Sequence, residues 1–134
     1  MFYGRTGKLS SYRKFQVHFG LGFAHARLGE LDAALESYNA CVRLEPGDAT
    51  ARFNRATVLA EQGRCCDAIK DLTKAVELDP KGKCAYLRNR ALLYRQQGDF
   101  ALSIIDYEAM RRASPGRPNA VALQQSSFLE MLKT

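Results

Sequence analysis

Two stretches of this sequence are nearly the same: "RFNRATVLAEQG" at residues 52–63 and "LRNRALLYRQQG" at residues 87–98. Both carry Asn-Arg-Ala, followed six residues later by Gln-Gly. Self-similarity at a fixed spacing marks repeat architectures, in which one structural unit is stacked several times. The two stretches therefore predict that the chain is built from copies of one unit.

Two sets of landmarks give the same period. Glycines in Leu-Gly or Gln-Gly pairs stand 34 and 35 residues apart, at Gly29, Gly63 and Gly98. Prolines also stand 34 and 35 residues apart, at Pro46, Pro80 and Pro115. The extra residue therefore lies after Pro80, in "KGKCA". Each unit is predicted to be two helices, the first ended by Gly at positive φ and the second by Pro.

A period of 34 residues with Gly inside and Pro at the end of each unit resembles the tetratricopeptide repeat (TPR), over about residues 15–116. Small residues recur where the two helices of a unit approach each other, at Gly22, Ala56, Ala91, Ala34, Ala68 and Ser103. The resemblance implies an all-α, right-handed solenoid of three TPR helix-turn-helix repeats with a C-terminal capping helix. The predicted boundaries are an N-terminal lead-in at 1–14, TPR 1 at 15–48, TPR 2 with linker at 49–83, TPR 3 at 84–117 and the capping helix at 118–134.

The last stretch carries apolar residues at helical spacing, at Val121, Leu123, Phe128, Leu129, Met131 and Leu132. It predicts a final helix from about 118 to 133 that covers the open side of the third repeat, because solenoids need such caps. A helix that joins two copies of the chain is the alternative.

The Arg of each Asn-Arg-Ala stands sixteen residues before an Asp; the pairs are Arg55 with Asp71 and Arg90 with Asp106. Repeat 1 has Leu21 and Ser37 at these positions, so the Arg and the Asp occur together or not at all. The spacing puts one residue on each helix of a hairpin. We therefore expect an ion pair inside repeats 2 and 3, with a structural role.

The Asn of the motif has a different expected role. In a TPR stack the first helices line the concave surface, and an amide there offers a donor and an acceptor to an extended peptide backbone. Phenylalanines would supply apolar pockets, and arginines would favour a carboxylate. These features predict a non-enzymatic protein-protein interaction module that binds an extended peptide or helix with apolar and acidic character. The predicted peptide-binding residues are Phe19, Phe23, Phe53, Asn54, Thr57, Arg88, Asn89, Leu92 and Arg95.

Repeat 2 is also similar to the TPR domains of co-chaperones, which hold the C-terminal Glu-Glu-Val-Asp of heat-shock chaperones with Lys, Asn and Arg side chains. Asn54 matches the Asn of the middle repeat in that carboxylate clamp. The first-repeat Lys and Asn positions hold Phe19 and Phe23, and the third-repeat Lys and Arg positions hold Ala85 and Asn89. A chaperone-tail binder is therefore a weaker alternative.

Composition excludes several classes of protein. The chain of 134 residues has the length of about one domain, and 46% of it is apolar. No apolar run approaches the roughly 20 residues of a membrane-spanning helix, and the start has no secretory signal. We therefore expect a cytoplasmic protein, with a nuclear location also open, and no membrane association.

Chemistry-bearing motifs are absent from the sequence: there is no metal-ligand cluster, no phosphate loop and no nucleophile–base pattern, so we expect no enzyme, no cofactor and no metal. The four cysteines, at Cys41, Cys65, Cys66 and Cys84, lack C-x-x-C spacing and are expected to be small buried or turn thiols. The net charge of +6 is spread along the chain, which leaves RNA binding as a weak alternative. A scaffold that packs against other repeats, or a homo-oligomer of this chain, is also open.

Overall fold

A computed structural model describes residues 6–113 and 118–133, with side chains over 10–113 and 125–133. These residues form seven helices: α1 (Thr6–Arg27), α2 (Leu31–Leu44), α3 (Ala49–Glu61), α4 (Cys65–Leu78), α5 (Lys83–Gln97), α6 (Phe100–Ala113) and α7 (Pro118–Lys133). A 3-10 turn at Pro80–Gly82 lies in the linker where the shift in period places the extra residue. The prediction of an all-α chain is confirmed.

The helices pair in chain order. Helices α1 and α2, α3 and α4, and α5 and α6 form three hairpins, and successive hairpins stack through α2 on α3 and α4 on α5. The small residues lie where helices approach most closely: a Cβ added to Gly22 would stand 2.8 Å from the Tyr38 ring. Ala34, Ala68 and Ser103 on the second helices are fully buried. The structure is therefore a three-hairpin solenoid, as the period predicts.

The turns inside the hairpins are made by glycine. Gly29, Gly63 and Gly98 have φ of 77°, 80° and 86°, a left-handed conformation that costs glycine little. Pro46 and Pro80 follow the ends of α2 and α4. Both features confirm the predicted helix ends of the first two repeats. Pro115, the corresponding proline of the third repeat, lies outside the described residues.

The two ends of the chain differ from the predicted boundaries in one respect. Helix α1 begins at Thr6, nine residues before position 15, because no proline or other helix breaker separates residues 6–14 from the repeat. Residues 1–5 of the predicted lead-in and residue 134 of the predicted cap lie outside the described part. Helix α7 covers α6, where the buried Oγ atoms of Ser103 and Ser127 are 3.0 Å apart.

The predicted ion pair of repeat 2 is confirmed. The Nε and Nη2 atoms of Arg55 donate to the two carboxylate oxygens of Asp71 over 2.7 and 2.6 Å. The third donor, Nη1, reaches Asn39 Oδ1 on α2 over 3.2 Å. Hydrogen bonding to Asp71, more than any other cause, raises the pKa of Arg55. One guanidinium therefore ties its own hairpin together and fastens it to the hairpin before it.

Repeat 3 contains the same arrangement one period later. Arg90 donates to the Asp106 carboxylate over 2.8 and 2.7 Å, and its Nη1 donates to Thr73 Oγ1 on α4 over 2.9 Å. Asp106 is buried, as Asp71 is. The Arg of the motif is therefore a structural residue that links successive repeats.

Among the described residues, no helix combines the length and the hydropathy needed to cross a membrane.

Candidate peptide-binding groove

Two of the predicted phenylalanines pack between helices. The Phe19 ring stacks on Phe15 at 5.8 Å between centroids and meets Tyr38 edge-on at 6.0 Å. The Phe53 ring lies 5.4 Å from the Tyr86 ring. Both rings are partly buried against the apolar core, where aromatic pairs of this geometry stabilise the packing. Phe19 thus packs inside the first hairpin and Phe53 between α3 and α5, so both rings belong to the packing of the stack more than to an open surface.

Other predicted residues are more accessible. The Phe23 side chain is half exposed, with the Arg27 guanidinium 5.7 Å from its ring centroid. Arg88 is exposed on α5. Arg95 is instead turned towards the capping helix, where its Nη1 donates to Ser126 Oγ over 3.2 Å. Of the two arginines proposed to meet a carboxylate, Arg88 is thus the more available to a ligand.

The two asparagines of the repeated motif have different surroundings. Asn54 is half-buried and hydrogen bonds the hydroxyl of Tyr38, which lowers a phenol pKa that burial raises overall. One repeat later, the residue at the position of Tyr38 is Leu72. Leucine is shorter and has no hydroxyl, so it cannot occupy the same space or bond Asn89. The Asn89 amide therefore lines an open pocket.

This pocket lies between α3 and α5 and holds about 320 Å³ of space. Its floor is apolar and its rim carries hydroxyl, amide and carboxylate groups. The lining residues are Ala56, Thr57, Ala60, Glu61, Leu72, Asn89, Leu92, Leu93 and Gln96. Binding sites commonly combine such an apolar floor with a few polar groups that fix the ligand's orientation.

The pocket contains three of the predicted site residues, Thr57, Asn89 and Leu92. The Thr57 hydroxyl donates to the carbonyl of Phe53 over 3.1 Å, which leaves its oxygen able to accept. Sequence reasoning missed Leu72 and Gln96. The exchange of Tyr38 for Leu72 at one repeat position is the signal in the sequence that could have located the pocket.

Stacked helical hairpins with a polar-rimmed apolar pocket on their first helices define a helical-repeat protein of the protein-interaction class. The family model described as tetratricopeptide repeat matches residues 10–49, 19–83 and 67–118. The chain belongs to the tetratricopeptide repeat family.

Named relatives are similar over most of this chain. Tetratricopeptide repeat protein 13 of Homo sapiens is 28% identical over 115 residues, covering 82% of this chain and 13% of the relative. Tetratricopeptide repeat protein 36 of Danio rerio is 34% identical over 111 residues, covering 81% and 57%. The chain thus spans less than two thirds of either relative.

Among solved structures, the first TPR domain of Spaghetti (RPAP3) bound to the HSP90 peptide SRMEEVD superimposes with a TM-score of 0.80. The identity is 18%, over 90% of this chain and 94% of that one. Likeness at this identity establishes the shared fold.

Proposed function

We propose that the chain is a non-enzymatic interaction module that binds an extended segment of a partner protein along its first helices. An apolar side chain of the segment enters the pocket between α3 and α5, and an acidic residue meets Arg88. The observation that carries the proposal is the replacement of Tyr38 by Leu72, which opens the pocket beside Asn89.

The polar rim of the pocket suits a peptide main chain. The Asn89 amide can donate to a peptide carbonyl and accept from a peptide N–H, while the Glu61 carboxylate accepts only. Leu92 and Ala60, which are partly exposed above the buried Leu72, offer the apolar surface on which a Leu- or Met-sized side chain is removed from water. Phe23 extends an exposed apolar surface onto α1.

The charge of the ligand follows from α5. Arg88 is the exposed cation one residue before Asn89, and a guanidinium binds a carboxylate through strong, charge-assisted bonds. The Spaghetti (RPAP3) domain, which has the same fold, is bound to a peptide with acidic and apolar residues. In this chain Phe19, Phe23 and Ala85 stand at three positions of the co-chaperone clamp, so the proposed ligand needs no free C-terminal carboxylate.

The test is a selection of random peptides displayed on phage against the whole chain, followed by fluorescence anisotropy with the enriched peptides. We expect sequences with apolar and acidic residues, whose affinity falls about tenfold with Leu92→Ala and less with Asn89→Ala. The matched control is Leu102→Ala, which removes an exposed leucine from α6. It should leave the affinity unchanged.

Two results would contradict the proposal. Enrichment of basic peptides would mean that Arg88 does not set the charge of the ligand. Equal loss of affinity with Leu102→Ala and Leu92→Ala would move the site away from the pocket. Amidation of the peptide C-terminus separates this proposal from a chaperone-tail binder, because loss of affinity on amidation would show that a terminal carboxylate is required.

A scaffold role is a second candidate, favoured by the exposed apolar residues of α7. Phe128, Leu129 and Leu132 are about half exposed or more, and a further repeat or a second copy could cover them. Sedimentation equilibrium tests self-association directly. A mass that rises with concentration, and returns to the monomer value with Leu129→Glu, would support the scaffold role.

A further inference from the structure

The outward face of α1 carries an uninterrupted apolar stripe. Val17, Leu21, Ala24 and Leu28 follow one another at alternating spacings of four and three residues, which places them on one side of a helix. The exposed fractions are 59% for Val17, 45% for Leu21 and 72% for Leu28. A helix face that only met water would be expected to carry polar residues at such positions.

The positions of Val17 and Ala24 are buried in the other two repeats, and the position of Leu21 is half-buried there. Adding 34 residues to the stripe gives Ala51, Arg55 and Val58 on α3 and Gln62 directly after it. Ala51 and Val58 are at most 1% exposed, and their counterparts one repeat further, Tyr86 and Leu93, are 6% exposed. The stripe on α1 is therefore the stacking surface of a repeat, without a described helix stacked on it.

The structure shows what covers the equivalent surface on α3. Helix α2 lies across it, with Asn39 bonded to Arg55 and with Asp32 accepting a 2.8 Å hydrogen bond from Gln62. The chain thus contains two examples of a helix packed on this surface, α2 on α3 and α4 on α5. Each covering helix presents apolar residues at helical spacing, with polar or acidic residues beside them.

Charge restricts which helix can cover α1. Arg13 and Lys14 lie one turn before Val17 on either side of the stripe, and both are exposed. Helix α1 contains no Asp or Glu between Thr6 and Arg27. A partner helix with acidic residues beside its apolar stripe would be attracted to this face, and a basic one would be repelled.

A second copy of the chain does not have the required charge. Two α1 faces would bring the same cations together. On the exposed face of α7, Lys133 is paired with Glu130 over 3.6 Å, and α6 adds Glu108 together with the exposed Arg111 and Arg112. The described residues of this face therefore offer no excess of negative charge to α1.

We propose that the outward face of α1 is a docking surface for an acidic amphipathic helix of a partner protein, which lies across α1 as α2 lies across α3. The surface is separate from the groove, because the stripe lies on the side of α1 opposite to Phe19 and Phe23. The chain thus has two protein-binding surfaces with different ligands, a helix on α1 and an extended segment across α3 and α5.

The probe is a synthetic peptide of roughly three heptads with Leu at the a and d positions and Glu at the e and g positions. The glutamates also keep the peptide from pairing with itself. A second peptide has Lys in place of every Glu. Fluorescence anisotropy with the whole chain should show at least about tenfold tighter binding of the Glu peptide, weakening as salt is added.

Variants locate the binding surface. Leu21→Glu should weaken binding of the Glu peptide by about tenfold or more, because a carboxylate would then stand in the apolar stripe. Leu129→Glu, the same change on the exposed face of α7, should leave it unchanged. Arg13→Glu/Lys14→Glu should reverse the preference between the two peptides. Circular dichroism confirms that each variant remains helical, since all the substituted side chains are exposed.

Several results would overturn the proposal: no binding of the Glu peptide, equal binding of both peptides, or loss of binding with Leu129→Glu in place of Leu21→Glu. A dimer of the wild-type chain that Leu21→Glu dissociates would show that a second copy covers the face. Leu92→Ala distinguishes the two surfaces, because it is expected to weaken binding of the groove ligand and to leave binding of the helical peptide unchanged.

Discussion

Replacing Asp71 by Asn is expected to destabilise the whole stack. Asp71 is 4% exposed and accepts both short hydrogen bonds from Arg55. Asparagine has nearly the same shape but no charge, and its NH₂ group would face one of the Arg55 donors. The buried guanidinium would lose its counterion and one acceptor, while its bond to Asn39 on the preceding hairpin would no longer be anchored.

The magnitude follows from the burial of the two partners. Removing one member of a fully buried ion pair costs about 3–5 kcal/mol. The Arg55 side chain keeps 21% of its surface exposed, so water can partly solvate the unpaired charge. We therefore expect the lower end of the range, about 3 kcal/mol, which corresponds to roughly 10 °C in the melting temperature of a domain of this size.

The assay is urea unfolding followed by circular dichroism, with Asp67→Asn as the matched control. Asp67 makes an exposed pair with Arg64, which stands three residues earlier, just before α4, and the Asp67→Asn substitution should cost less than about 1 kcal/mol. A loss for Asp71→Asn no larger than that of the control would refute the reasoning. Equal losses for Arg55→Leu, Asp71→Leu and the double variant would confirm that the two residues act as a pair.

Three further predictions concern packing and ionisation. Gly22→Ala should lower the free energy of unfolding by about 1–3 kcal/mol, because the added Cβ would stand 2.8 Å from the Tyr38 ring. Gly20→Ala, on the same helix but with open space around it, should raise it by up to about 1 kcal/mol. Urea unfolding compares the two variants. Burial raises the pKa of Cys41 to about 11 and that of Tyr86 to about 12. Because these groups ionise at lower pH in the unfolded chain, the free energy of unfolding should fall as pH rises above about 9. A free energy of unfolding that stays constant up to about pH 11 would contradict this. A thiol reagent at neutral pH should modify exposed Cys66 well before buried Cys41 in the folded chain, as mass spectrometry of timed samples would show.

The sequence predicts features of this fold that depend on the repeat itself. Gly63 and Gly98 adopt positive φ because a hairpin must turn at the same place in each unit. Arg55 and Arg90 find their aspartates because a fixed spacing across a hairpin brings the same positions together. In both cases one local rule, applied at each period, decides the outcome.

The candidate site is less predictable because it depends on neighbours from different repeats. Phe19 is turned inward by Phe15 and Tyr38, and Phe53 by Tyr86, and the pattern of first-helix residues alone does not reveal these contacts. Asn54 and Asn89 occupy one repeat position, yet only Asn54 meets a tyrosine hydroxyl. The buried side chain on the preceding second helix, Tyr38 or Leu72, decides which asparagine is open to a ligand.

The differences between repeats, more than their common features, therefore define the surfaces on which function depends. Arg55 and Arg90 stabilise the stack, and their donors are used inside it, since each is bonded to two neighbouring helices. Repeat 1 has Leu21 at that position and Ser37 where the others have Asp, so it has no cation to neutralise and presents an apolar face instead. Leu72 similarly lacks the ring and hydroxyl with which Tyr38 meets Asn54. In each case a contact that another repeat makes is missing, and an apolar surface lies there, one on α1 and one between α3 and α5.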